Sequence, residues 1–301
     1  MKIKDIEDLK TEFTTEKAFI DEDKRYVSEI NDVADKIAEN REEQPIILLS
    51  GPSGSGKTTT AHIIEARLDG MGIETHTISL DSYFKTVKLN DISIDYESPE
   101  RIDSDLLSSQ IEDLVNCREV SLPTFDFKTA ESIDSGIKLK RKKGELIIFE
   151  GIHALNPDVV NFDEDKTVKI FMSVITRVKF NDRIFHSRYL RLLRRMCRDK
   201  LFRGRSIVET VKFYDSVENG TEKYILPYKD RANYNIDTFI GYEPLIYKDI
   251  LFSEFVQKFK EISDINKSFS DEFMAFCSSF DGTGRKYVPK NSLIREFIGE
   301  N

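Results

Sequence analysis

Three cysteines, Cys117, Cys197 and Cys277, are all the thiol chemistry in this chain of 301 residues, and no two of them form a CxxC pair. That scarcity excludes a disulfide framework and a zinc site, and reads as free thiols in a reducing compartment. Long hydrophobic runs are also missing. No apolar stretch reaches the ~20 residues of a membrane-spanning helix, and the opening MKIKDIEDLK carries no apolar signal region. A soluble, cytoplasmic protein with no membrane partner is expected. Positive charge is in deficit, with 45 Lys and Arg against 54 Asp and Glu for a net charge of −9. That balance argues against a nucleic-acid partner gripping the whole surface, while leaving room for a local basic stripe. Neither an internal repeat nor a low-complexity tract interrupts the chain. What is present, 39% hydrophobic residues, suffices for one sizeable core plus an appendage.

Residues 1–43 are charged, with Tyr26, Ile30, Val33 and Ile37 at helical spacing, so a helix over 26–40 is expected to lead into the fold. The run PIILLS at 45–50 then has no polar alternation, the mark of a strand buried on both faces of a parallel sheet. A glycine-rich turn and a helix over 58–68 follow. Further strands are expected at 73–80, 146–149, 168–174 and 236–240, separated by helical stretches such as 101–116. Alternating β and α segments predict a parallel five-stranded sheet with helices on both faces, a three-layer α/β fold. Short-range alternation over 120–140, with Asp134-Ser135-Gly136 as its turn, predicts an inserted β-hairpin. The expected organisation is a helical leader (1–43), a core (44–243) carrying the hairpin (about 120–141) and a basic lid (about 186–206), and a helical C-terminal extension (244–301) that serves packing.

The chemistry begins at Gly51-Pro52-Ser53-Gly54-Ser55-Gly56-Lys57-Thr58, a full match to GxxxxGK[ST] between a strand and a helix, which makes the expected fold that of a P-loop NTPase. Glycines let successive backbone N–H groups turn inward onto phosphate oxygens, and the helix that follows adds its positive end. Gly51, Ser53, Gly54, Ser55, Gly56, Lys57, Thr58 and Thr59 are the expected nucleotide-binding residues, with Lys57 on the β- and γ-phosphates and Thr58 on Mg²⁺. No Asn-Lys-x-Asp guanine reader and no LSGGQ-like stretch occur, which counts against a GTPase and a transporter ATPase. Asp81 closes the second strand. A carboxylate there suits a general base for an acceptor hydroxyl, and a turn aspartate fits the motif equally well.

The segments GPSGSGKTT, LDSYF, DYESPERID, LPTFDF, IIFEGIHALN and RLLRRMCRDKLFRGR together resemble the uridine kinase and phosphoribulokinase family, over about residues 46–240. PTFDFKT, EGIHALNP and NSLIREFIG are similar to its bacterial uridine-kinase-like branch. The resemblance implies ATP and Mg²⁺ as cofactors and a nucleoside, uridine or cytidine, as the small-molecule acceptor. It implies Asp81 as the base, Glu150 as a helper of the metal, and Tyr83, Phe125 and Phe127 around the nucleoside with Asp126 nearby. It further implies a lid at 188–205, with Arg191 toward substrate, Arg198 toward nucleotide, and Arg203 and Arg205 toward the transferred group. Phe125 and Phe127 by their alternation alone would be core. His153 lies three residues beyond Glu150 and could touch the site.

The lid also has support from charge. Arg188, Arg191, Arg194, Arg195, Arg198, Lys200, Arg203 and Arg205 place eight cations in eighteen residues, and arginines stabilise the charge that spreads during phosphoryl transfer. Leu190, Leu193, Cys197 and Leu201 share one helix face, which would leave the arginines on the others. A solvated face and an RNA-binding helix are the competing readings. Against the family pattern, Glu97 stands for an aspartate that grips ribose hydroxyls, Ala130 for a histidine that reads the pyrimidine, and Glu209 for a glutamine after the lid. All three concern the acceptor. A kinase of another metabolite such as a sugar phosphate, and a nucleotide-dependent RNA-associated or regulatory protein, are therefore the alternatives. Homo-oligomerisation stays open.

Overall fold

The computed structural model describes residues 2–88 and 95–300. A three-residue strand, β1 (Ile3–Asp5), and a short helix, α1 (Ile6–Glu12), precede α2 (Glu16–Glu39). Thr15 caps α2 by accepting from the Ala18 amide, and Phe19, Tyr26, Ile30, Ala34 and Ile37 recur at helical spacing on its buried face. The leader is thus part of the core. Tyr26 and Thr60 bring their hydroxyls within 2.6 Å, tying α2 to α3 (Lys57–Gly70), which follows β2 (Ile46–Ser50).

β3 (Thr75–Ser79), α4 (Ser104–Val115), the hairpin strands β4 (Glu119–Asp126) and β5 (Glu131–Lys140), β6 (Leu146–Glu150) and β7 (Thr167–Ser173) come next. β8 (Arg177–Phe180) and β9 (Arg183–Phe185) lead to the arginine-rich α5 (Ser187–Phe202), then α6 (Ile207–Lys212), α7 (Tyr214–Tyr224) and β10 (Tyr234–Asp237). The C-terminal third closes with α8 (Glu243–Ile265), α9 (Lys267–Ser278) and the single turn α10 (Arg295–Ile298).

Five strands form one all-parallel sheet in the order β10-β7-β2-β6-β3. It is the expected sheet. Side chains of β2 alternate between two cores: Ile47 and Leu49 pack with α2, α3 and α5, while Ile46 and Leu48 pack with α4 and Phe149. That two-sided burial is why PIILLS carries no polar alternation. A second small sheet, β1-β8-β9, lay unseen in the sequence because strands of three and four residues leave no period to read.

The hairpin exists, but its reversal lies at residues 127–130, with Ala130 at φ 58°. Asp134-Ser135-Gly136, expected as the turn, is an irregularity inside β5. Register slips opposite Ser121 and Pro123, Gly136 takes φ 70°, and the Ser135 hydroxyl donates to the Leu122 carbonyl at 2.6 Å. Turn residues here make a bulge instead of a reversal.

Candidate active site

Parallel packing brings the ends of β2, β3 and β6 to one edge, where ligands of open α/β sheets sit. The loop after β2 is built on close backbone approach. A Cβ on Gly51 would lie 2.0 Å from the Met172 carbonyl oxygen of β7. Gly54 and Gly56 adopt φ 78° and 82°, a region costly for any other residue. Gly56 caps α3 with no side-chain hydrogen bond, so amides of the first turn remain for a ligand. The Ser55 hydroxyl is buried without a partner among the described residues. An anion with several acceptor oxygens fits this cradle.

Lys57 reaches the Pro52 carbonyl at 3.4 Å. Burial lowers its pKa, and the charges of Glu150, Asp81 and Glu296 work against that. Across the cradle, Thr58 Oγ1 lies 3.5 Å from Glu150 Oε1 at the end of β6. One exposed hydroxyl and one buried carboxylate suit Mg²⁺, which takes few protein ligands and completes its shell with water and phosphate oxygens. Burial raises the Glu150 pKa, and Lys57 opposes this.

Asp81 sits in the turn after β3, its amide bonded to Ser79 Oγ at 3.4 Å. It is open to solvent at the cleft floor yet crowded by protein. The crowding raises its pKa, while Lys57, Arg203, Arg101 and Arg198 pull the other way. Nucleotide cation and candidate base therefore share one cleft.

Apart from Arg188, which is exposed, the arginines of α5 turn onto the loop after β2 and not onto a solvated face. Arg191 and Arg194 donate to the carbonyls of Ser53 (3.4 Å) and Gly54 (3.1 Å), and Arg195 and Arg198 donate to Ser53 Oγ (2.7 and 3.4 Å). Arg194 is fully buried and forms a two-point pair with Glu243 at 2.8 and 3.0 Å. Burial, then Arg203 and Arg195, pushes Arg198 down to about 10. Leu190, Leu193 and Cys197 are buried as expected, but Leu201 is exposed at the fraying end. Arg203 is held by Asp199 at 3.2 Å just before Gly204, which has φ 63° and open space around it. Arg205 stacks on Phe213, 5.6 Å from the ring centre.

Several expected acceptor residues have other occupations. Glu209 is exposed and closes a capping box with Ser206 at the start of α6, because a Ser-x-x-Glu spacing satisfies two free amides. Asp126 accepts from the Lys128 amide at 2.7 Å and shapes the hairpin turn. Tyr83 is core, its hydroxyl donating to Gln110 at 2.8 Å. Arg191 spends its other end on Glu218 at 2.6 Å. Phe127 is 67% exposed, while Phe125 is buried edge-on against Phe84.

Glu97 does face the cleft. Its Oε2 is buried with no partner among the described residues, and its pKa is raised by burial against the pull of Arg195 and Lys57. A Cβ on Gly220 of α7 would come within 2.3 Å of Glu97 Cβ, so this seat requires glycine there. His153 is buried beside it, and neither ring nitrogen has a well-formed hydrogen bond. Burial pushes its pKa down to about 4, offset only in part by the backbone of Glu97 and Tyr224, so the imidazole is neutral near pH 7.

Three residues escaped the sequence reading. Leu293 packs on Gly56, and Glu296 accepts from the Thr59 hydroxyl at 2.7 Å, so the C-terminal segment walls the phosphate cradle. NSLIREFIG is the only sequence signal for that contact. Arg101 stands among Phe84, Tyr96 and Phe125, and spacing gives no sign of it.

A glycine cradle of this form, opening a helix on a parallel sheet, defines the class: a P-loop phosphotransferase. The chain belongs to the phosphoribulokinase/uridine kinase family, whose sequence profile matches residues 46–240. Kinases of this family act on hydroxyl groups and use ATP. It is 34% identical to the uridine kinase of Staphylococcus aureus strain JH9 over 196 residues, 62% of this chain and 84% of that one. Among solved structures it is similar to one described as a possible uridine kinase from Bacillus stearothermophilus (14% identity, TM-score 0.45, 69% of this chain and 100% of that one). D-glycerate 3-kinase from Cryptococcus neoformans is another, with 13% identity, TM-score 0.38, and 91% and 90% covered. No helix among the described residues is long and apolar enough to cross a membrane.

Proposed function

We propose that this chain transfers the γ-phosphoryl group of ATP·Mg to a hydroxyl of a small metabolite held between Asp81 and Glu97. The observation that carries the reading is the place of Asp81: it sits in the turn that follows β3, in the cleft that holds Lys57, feels the charge of Lys57 and Arg203, and is open to a ligand. Asp81 takes the proton of the attacking hydroxyl, and Lys57 and Arg203 stabilise the charge on the group in flight. Thr58 and Glu150 would hold Mg²⁺, which neutralises charge on the phosphates.

Uridine is the acceptor that the name of the Staphylococcus aureus relatives suggests, and cytidine, which shares its ribose, is the next candidate, in a role in cytoplasmic pyrimidine salvage. Glu97 would then accept from the ribose hydroxyls, and a 2′-deoxynucleoside would leave that carboxylate unpaired. A second reading, a kinase of another metabolite such as a sugar phosphate, is favoured by the cation among the acceptor-side aromatics. Acceptor-dependent ADP formation tests the shared claim. Transfer is expected with at least one hydroxylated acceptor and is expected to vanish in Lys57→Ala with its melting temperature kept; ATP turnover indifferent to every acceptor would remove the kinase reading.

A further inference from the structure

Arg101 is 9% exposed, and its guanidinium carbon lies 4.7, 5.0 and 5.8 Å from the ring centres of Phe84, Tyr96 and Phe125. Among the described residues its side chain has no ion pair and no hydrogen bond, and its Nε is buried without a partner. A largely buried cation with no bonded partner is costly even after relaxation. Stacking on rings and the nearby charge of Asp81 return only part of that cost, which leaves the guanidinium without a bonded counter-charge.

The residue cannot relax away easily. Its carbonyl accepts from Lys85 N at 2.7 Å and its amide donates to Ser98 at 3.3 Å, so its backbone is pinned at the end of a tight turn, Pro99–Arg101. It also faces the same cleft as the candidate base, because its charge is felt at Asp81. Stacking uses the faces of a guanidinium and leaves its in-plane N–H fork for an oxyanion. The rings that could stack a neutral heterocycle are already covered by this cation.

We infer that the acceptor is an anionic metabolite, whose phosphate or carboxylate group is received by Arg101 while its hydroxyl is presented to Asp81. This deepens the phosphotransferase reading and rests on it. The anion supplies the missing counter-charge, and the aromatic cage holds the guanidinium ready for it.

Paired acceptors test the assignment on the full chain with Mg·ATP: ribose 5-phosphate against ribose, glycerate against glycerol, and uridine as the neutral nucleoside. The anionic member of at least one pair is expected to exceed its neutral partner, and uridine, by roughly 10–100-fold in kcat/KM, the worth of hydrogen bonds to a charged group. The phosphate and carboxylate arms tell the two anion sources apart. Arg101→Gln should erase that ratio, chiefly through KM, and Arg101→Lys should restore part of it; circular dichroism and melting temperature guard against a folding defect. Calorimetric binding of the same probes in the presence of Mg·ADP reads anion recognition without transfer. Anion binding that depends on Arg101, with no transfer to any acceptor, would keep the anion site at Arg101 and sink the kinase reading together with the acceptor role. Uridine outpacing every anion, or neither member of any pair binding or reacting better, or a preference untouched in Arg101→Gln, would overturn the inference and make the cage a structural clamp.

Discussion

Seven arginines between positions 188 and 205 share one sequence signature and hold different posts. Arg194 is buried against Glu243 and the Gly54 carbonyl, so its work is to fix the cradle. Removing it leaves Glu243 buried and unpaired, a loss of ~3–5 kcal/mol for a pair of this kind. Arg203 is half exposed beside an unobstructed glycine, and its charge reaches Asp81. Arg203→Ala is therefore expected to lower kcat by on the order of 10²–10³-fold with little change in KM for ATP. Thermal melts alongside the kinetics separate the two: Arg194→Ala should melt far lower, and Arg203→Ala should melt with the parent. A rate unaltered in a folded Arg203→Ala protein would remove the residue from the chemistry. Charge density made this helix visible in the sequence. Which arginine faces a carbonyl and which faces the cleft depends on partners at 53–54, 199 and 243, and no local pattern encodes those.

At the scale of elements, α2 and the segment before α10 meet through Asp23. Tyr242 donates to Asp23 Oδ1 at 2.6 Å and Ser292 donates to the same oxygen at 3.2 Å. Burial pushes the Asp23 pKa up to about 6, overriding those two bonds. Because the folded-state value lies above the unfolded one, the proton binds the folded state more tightly. The associated stability is full below pH ~4 and is lost as pH rises through about 6. Asp23→Asn keeps an acceptor for both hydroxyls and removes the charge. It is expected to stabilise the protein at pH 8, by at most ~3 kcal/mol, and to flatten the pH dependence of urea midpoints between pH 4 and 6. A variant less stable than its parent at pH 8 would mean that the charge itself is needed. The strands and the cradle were legible because their signals are local: an unbroken apolar run, and glycines that must take positive φ. The hairpin's turn was misplaced because Asp-Ser-Gly serves a bulge as well as a reversal. On the proposed acceptor side, Glu97, Phe125 and His153 were legible in the sequence, while Arg101, in a tight turn, and Gly220, on α7, were not, because nothing local ties either to the cleft.

Taken whole, an acidic molecule gathers Lys57, Arg101, Arg195, Arg198 and Arg203 around one cleft at the carboxyl edge of its sheet. The leader and the C-terminal segment brace that cleft from behind, through Tyr26 on Thr60 and Glu296 on Thr59. The sequence marked both ends as helical, but their contact with the P-loop is tertiary and leaves no period. The proposed chemistry turns on Asp81 as the group that accepts the hydroxyl proton. Single-turnover transfer from ATP to the best acceptor, run with parent and Asp81→Asn proteins beside direct ATP-binding titrations, tests it most directly. Asp81→Asn is expected to lose ~10²–10⁴-fold in transfer rate with ATP affinity kept, and the parent rate to fall with acid at a pH above the ordinary carboxylate range. Transfer at the parent rate in Asp81→Asn, with ATP affinity lost instead, would contradict it and make Asp81 a nucleotide ligand.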